Sequence, residues 1–88
     1  MLTKSFPIVN RLGMHARPAA LFVKTSGKFK SQIWAKKDDL EVNGKSIMGV
    51  MMLAAEPGSS LTVRADGLDE AEALEALGKL IADRFYED

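Results

Sequence analysis

Between Leu2 and Val9 the side chains alternate, with Leu2, Lys4, Phe6 and Ile8 on one side and Thr3, Ser5, Pro7 and Val9 on the other. A period of two is the signature of a strand. Pro7 has no amide proton to give to a ladder, so this strand belongs at the edge of its sheet. Asn10 to Met14 then reads as a loop centred on Gly13. From Ala16 the period lengthens: Ala19, Phe22, Val23 and Ser26 recur at helical spacing, and Gly27 occupies the position of a C′ glycine. The pattern predicts a helix of about three turns.

Ser31 to Lys36, which carries Ile33 and Trp34, and Leu40 to Asn43, with Leu40 and Val42 on one face, flank the polar Lys37-Asp38-Asp39 and predict a hairpin. Ile47 to Ala55 follows Gly44-Lys45-Ser46 and predicts a short second helix with Ser46 as its N-cap. Glu56-Pro57-Gly58-Ser59 is a turn by composition, after which Leu61, Val63 and Ala65 alternate with Ser60, Thr62 and Arg64 as a last strand. Asp69 before Glu70-Ala71-Glu72 resembles a capping box, and Ala73, Leu74, Leu77, Leu80 and Ile81 form one apolar stripe of a final helix. The order β-α-β-β-α-β-α with short connections is an α+β pattern. Its natural two-layer solution is an antiparallel sheet covered on one face by helices.

Length and composition narrow the picture. Eighty-eight residues, 47% apolar and 27% charged, suit one compact domain over residues 1–88. Twelve Lys plus Arg balance twelve Asp plus Glu, which removes the electrostatic reason to expect a nucleic-acid or anionic-membrane partner. With no Cys and one His, neither a metal site nor thiol chemistry is expected, and nothing in the sequence asks for a cofactor. The longest apolar stretch, Ile47 to Ala55, is too short to span a bilayer, and Met1 to Pro7 has no apolar signal region. The expectation is a cytoplasmic monomer without membrane insertion.

Candidate chemistry gathers at His15, directly before the first helix. The opening turn offers the amides of Ala16 and Arg17 and a partial positive charge, both of which favour an anionic group. Pro18 forfeits no hydrogen bond there, because first-turn amides lack an intrahelical acceptor. Arg17 adds a planar, permanently charged fork suited to phosphoryl oxygens. Taken singly, each residue has a plainer reading, His15 as a cap or solvated side chain and Arg17 as a surface residue with its stem along the helix.

The complete string Gly13-Met14-His15-Ala16-Arg17-Pro18-Ala19-Ala20 resembles the phosphorylation motif of the HPr family of bacterial phosphocarriers, at the position where that family carries it. Val42-Asn43-Gly44-Lys45-Ser46-Ile47-Met48-Gly49-Val50-Met51 is similar to the segment around that family's regulatory serine. The likeness continues through Gly58, the strand Ser60 to Ala65 and the stretch Gly67 to Leu80, so it covers essentially the whole chain. Ala54 and Ala55 stand where many members of the family have glycine, and Met52 where Ser or Thr is frequent.

The resemblance implies an open-faced β-sandwich, with four antiparallel strands in the order 1-4-2-3 and three helices on one face. It also implies that His15 accepts a phosphoryl group on Nδ1 from phosphorylated enzyme I and passes it to a histidine or cysteine on a sugar-specific IIA or IIB domain. Arg17 would be the phosphate partner, and the protein a stoichiometric carrier rather than an independent enzyme. Ser46 would be a regulatory phosphosite, served by a serine kinase/phosphorylase and read by a catabolite-control regulator.

Ile47, Met48, Val50, Met51, Met52 and Leu53 are apolar around more than one helical face, so some of them must stay outside the core of so small a fold. A contiguous exposed apolar patch marks an interface, and Met repacks easily against different partners. By resemblance, Ile47, Met48 and Met51 face outward while Val50 and Leu53 face the sheet. Ala20 joins the docking surface, and Lys24, Lys28 and Lys45 supply positive charge to steer an acidic partner face.

Within the family, a paralogue of the nitrogen-linked branch is the alternative, although the Ser46 string favours the sugar branch. A purely regulatory homologue lacks the phosphorylatable histidine that this chain has. A small αβ ligand- or RNA-binding module shares the layers but needs exposed aromatics on its sheet, where only Trp34 qualifies. A hydrolase needs a nucleophile with a base and an orienting group, and nothing of that order surrounds the single His.

Overall fold

The computed structural model describes residues 1–86. Along the chain it contains β1 (Leu2–Pro7), α1 (Ala16–Ser26), β2 (Gln32–Lys37), β3 (Leu40–Asn43), α2 (Ile47–Met52), β4 (Ser60–Asp66), α3 (Glu70–Ala82) and a closing 3₁₀ turn, Arg84–Tyr86. All strand pairs are antiparallel and the sheet order is β1-β4-β2-β3. β1 is an edge strand, as its proline requires, and Pro7 closes the ladder opposite Ser60.

Alternation along the central strands decides which face is dry. Ile33 and Ala35 of β2 lie opposite Ala65 and Val63 of β4, and these side chains, with Leu61, are buried. Their neighbours Gln32, Trp34, Lys36, Thr62 and Arg64 point the other way and stay exposed or half-exposed. The helices cover the dry face: α1 contributes Pro18, Ala19 and Phe22, α2 contributes Val50, and α3 contributes Ala73, Leu74, Leu77, Leu80 and Ile81. The buried Ser26 hydroxyl is satisfied by the Phe22 carbonyl at 2.9 Å. On the open face the Arg64 guanidinium lies 3.9 Å from the centre of the Trp34 ring and donates to Glu41 at 3.0 Å. The one sheet aromatic that could stack a base is therefore covered by a cation already engaged elsewhere.

Four local details differ from the sequence pattern. β1 ends at Pro7 rather than Val9, while Ile8 goes on to bond both ways with the Gly58–Ser59 turn, at 2.9 Å each. Gly27 is right-handed (φ −66°), and α1 unwinds through turns in which the Lys28 and Phe29 amides reach Thr25 and Ser26. α2 stops at Met52, after which Ala54 adopts a left-handed conformation (φ +49°). Finally, Asp69 does not cap α3 with its side chain. Its carboxylate instead accepts from the Lys30 amide at 2.8 Å, the Ser31 amide at 2.9 Å and the Ser31 hydroxyl, tying the start of α3 to the approach of β2. Glu70 takes up the local work, accepting from the Gly67 amide at 3.1 Å.

The Ser31 hydroxyl, with the Lys30 and Ser31 amides, stabilises the ionised Asp69 carboxylate and holds its pKa down at about 2. A depressed carboxylate contributes stability that is complete above its unfolded value near 4 and is lost as pH falls through the folded value. Asp69→Asn should therefore lower the thermal midpoint at neutral pH. The difference from the parent should shrink between about pH 4 and pH 2 and disappear below that window. Thermal unfolding followed by circular dichroism across this range checks it, and a gap that stayed constant with pH would assign the effect to packing.

Candidate functional site

His15 occupies the N-cap of α1 with an extended backbone (φ −87°, ψ −167°), half-buried, and its ring does not cap the helix. The helical ladder begins at its own carbonyl, which accepts from the Ala19 amide at 3.0 Å. The chain leading into it is held from two directions. The Met14 amide donates to the Ala55 carbonyl at 2.7 Å, across from the end of α2, and the buried Asn10 donates from Nδ2 to the Gly13 carbonyl at 2.7 Å. Gly13 has φ +73°, and a Cβ there would run into the Ala55 carbonyl and the Glu56 and Pro57 backbone and ring. Only glycine meets both demands, so the loop lies flat against the α2–β4 connection and His15 inherits its position.

Ala16 and Arg17 form the first turn with Pro18, and their amides have no intrahelical acceptor. Pro18 is buried against the core and sits where no amide is needed, while the Ala16 and Arg17 side chains are exposed beside His15. The arrangement joins a nitrogen nucleophile, free backbone donors at a positive helix end and a permanent guanidinium charge. That combination suits a transferable anionic group with several acceptor oxygens.

The second predicted region lies next to the first. α1 packs against α2, with the Lys45 ammonium donating to the Phe29 carbonyl at 2.7 Å at one end and Met14 meeting Ala55 at the other. The two helices thus run antiparallel. Ser46, the N-cap of α2, accepts from the Gly49 amide at 3.1 Å. It sits at the end away from His15, because the eleven residues of α1 span about 16 Å.

Val50 and Leu53 are buried, whereas Ile47, Met48 and Met51 are exposed, Met48 by 75%. Ala20, Lys24 and Lys28 are exposed on and beyond α1; Lys45 is half-buried and its charge is spent on the Phe29 carbonyl. Two further apolar side chains are exposed by 66% each: Met52, which belongs to the apolar run of α2 but was not assigned an outward face, and Leu12 in the loop before His15. Met52 was legible, since it stands one helical turn from Met48. Leu12 had only the weaker sign of an apolar residue in a loop that offers it no core.

A family model described as the PTS HPr component phosphorylation site matches residues 2–83. The chain belongs to the HPr family. It is 52% identical to the phosphocarrier protein HPr of Neisseria meningitidis serogroup A, over 99% of this chain and 98% of that one. A crystal structure of HPr from Thermoanaerobacter tengcongensis superposes with a TM-score of 0.96 at 50% identity, covering 100% of this chain and 99% of the other. A crystal structure of Crh, a Bacillus subtilis catabolite-repression protein seen there as a swapped dimer, gives a TM-score of 0.76 at 42% identity, covering 96% and 97%. As a member of the HPr family the chain is a phosphocarrier of the phosphotransferase system and not an enzyme in its own right. The open-faced sheet with strand order 1-4-2-3 is the fold of its structural neighbours.

Proposed function

We propose that His15 is the phosphoryl acceptor of this phosphocarrier, taking the group from phosphorylated enzyme I and delivering it to sugar-specific IIA domains. The observation that carries this reading is the placement of His15 at the N-cap of an eleven-residue helix, on a backbone locked from both sides. Nδ1 forms a bond to phosphorus as the bond from enzyme I to phosphorus breaks, and in delivery the Nδ1–phosphorus bond breaks as the acceptor nucleophile of the IIA domain bonds to phosphorus. The Ala16 and Arg17 amides and the Arg17 guanidinium receive the phosphoryl oxygens in both directions, so the site stabilises the group without trapping it. Ile47, Met48 and Met51, extended by Met52 and bordered by Ala20, Lys24 and Lys28, form the docking surface for partners that meet His15 in turn. The protein works in the cytoplasm as a monomer, in the sugar branch of the system.

Ser46 adds a regulatory reading, favoured by its place at the N-cap of α2 beside that surface. A phosphate there has the helix end to receive it and leaves the fold intact. It sets nearly two negative charges against Ile47, Met48 and Met51, where an acidic partner is repelled and burial costs desolvation. Its distance from His15 makes this a control of docking and not of the chemistry. A serine kinase/phosphorylase would write the mark, and a catabolite-control regulator with a basic complement would read it.

Incubation with enzyme I and phosphoenolpyruvate should add one acid-labile, alkali-stable phosphate to the parent and none to His15→Ala, as read by intact mass. The Ala variant should keep its circular dichroism and lose about 1 kcal/mol or less, since the ring neither caps the helix nor fills the core. Phosphate uptake by the variant would place the acceptor elsewhere. Ser46→Asp should raise the apparent KM for enzyme I several-fold with a thermal midpoint near the parent's. Equally tight docking at low salt would reduce Ser46 to a cap.

A further inference from the structure

Lys37 ends β2 on the inward row that begins with Ile33 and Ala35. A lysine in that row must carry its charge out past the edge of the core, and its side chain is only 16% exposed. The ammonium emerges at the end of α2, 3.3 Å from the Ala54 carbonyl and 3.1 Å from the Glu56 carboxylate. Ala54 is left-handed at φ +49°, a conformation its Cβ disfavours and which the surrounding structure must therefore impose. The next residue, Ala55, presents the carbonyl that takes the Met14 amide, one residue before His15. The same Ala55–Pro57 segment is the surface against which Gly13 has no room to spare.

We infer that Lys37 is a positioning residue for phosphoryl transfer, a strut that fixes the Ala54–Glu56 segment and through it the placement of His15. The inference rests on the reading of His15 as the acceptor. Lys37 does not touch the reacting atoms. Its partner carboxylate is 64% exposed, so the ion pair contributes little to overall stability, and its effect falls on geometry. A displacement of about 1 Å at a reacting group costs up to about a hundredfold in rate. The signature of the strut is thus a lower rate at saturation, with docking and the rest of the fold unchanged.

Lys37→Met keeps the buried stem and removes the ammonium, and Lys37→Arg keeps a donating cation. In the full chain, amide exchange at Met14 should be about tenfold faster in Lys37→Met, with Val63 in the central sheet unchanged. Phosphoryl acceptance from enzyme I should show kcat about fivefold lower and KM unchanged, and Lys37→Arg should recover most of it. Both changes are required. A raised, salt-dependent KM would make Lys37 a docking residue and overturn the inference. Parallel acceleration of Met14 and Val63 would overturn it as a general loss of stability, and so would parent-like rate and exchange. Glu56→Gln, at an exposed carboxylate, should shift both readouts the same way by less, and it decides the matter if Lys37→Met does not fold. His15→Ala run alongside separates the two readings: uptake of phosphate by that variant sinks the acceptor assignment. Loss of uptake there, with a silent Lys37→Met, sinks the strut alone.

Discussion

Gly13 and Ala55 lie closer together than any side chain at position 13 would permit, and the Met14 amide closes the gap with a 2.7 Å bond to the Ala55 carbonyl. Two loops from distant parts of the sequence are fused there backbone to backbone. The helix N-terminus, the histidine before it and the exposed end of α2 are thereby brought into one surface. Without that contact, the first-turn amides and the imidazole would each still exist. Their mutual placement, on which the proposed stabilisation of a transferring group rests, would be left to the loop alone.

The rest of the molecule reads as support for this junction. The sheet holds its dry face to α1 and α3 through small and β-branched residues, Ala35, Ala65 and Val63, which let the helices pack close. α2 gives only Val50 and its cap residue Leu53 to that core. Its remaining apolar side chains face water, a cost that the proposed docking surface accounts for. Because the chain carries no net charge, recognition must come from local placement, and the neighbouring cations differ in kind. Lys24 and Lys28 are exposed and can attract, whereas Lys37 is engaged by the Glu56 carboxylate and the Ala54 carbonyl at one end of α2 and Lys45 by the Phe29 carbonyl at the other.

Local rules made most of this legible. Pro7 announced an edge strand, the alternation of Leu61, Val63 and Ala65 picked out the covered face, and the stripe from Ala73 to Ile81 was buried residue for residue. Ser46 caps as a serine before a short helix should. The failures share one cause, which is a side chain recruited by something far away in sequence. Asp69 satisfies the rule for an N-cap but turns to Ser31, thirty-eight positions earlier, because that buried hydroxyl and two amides offer a better site for a carboxylate than its own helix does. Lys37 reads as hairpin polarity until β2 and α2 are placed together. Ala54 reads as helix until its left-handed turn is seen, and Gly27 reads as a left-handed cap although 3₁₀ turns continue through it. At the candidate site, the identity of His15 and Arg17 was visible in the motif. What locks them, the Met14 to Ala55 bond, was not, since no pattern within either segment refers to the other.

The most direct measurement is a pair of amide proton–nitrogen spectra, before and after phosphorylation by enzyme I. If the first turn of α1 holds the phosphoryl group on His15, the Ala16 and Arg17 amide protons move strongly downfield on phosphorylation as they acquire an anionic acceptor, while amides of β2 and β4 stay where they were. A phosphorylated protein in which Ala16 and Arg17 do not move would contradict the placement of the phosphate at the helix end.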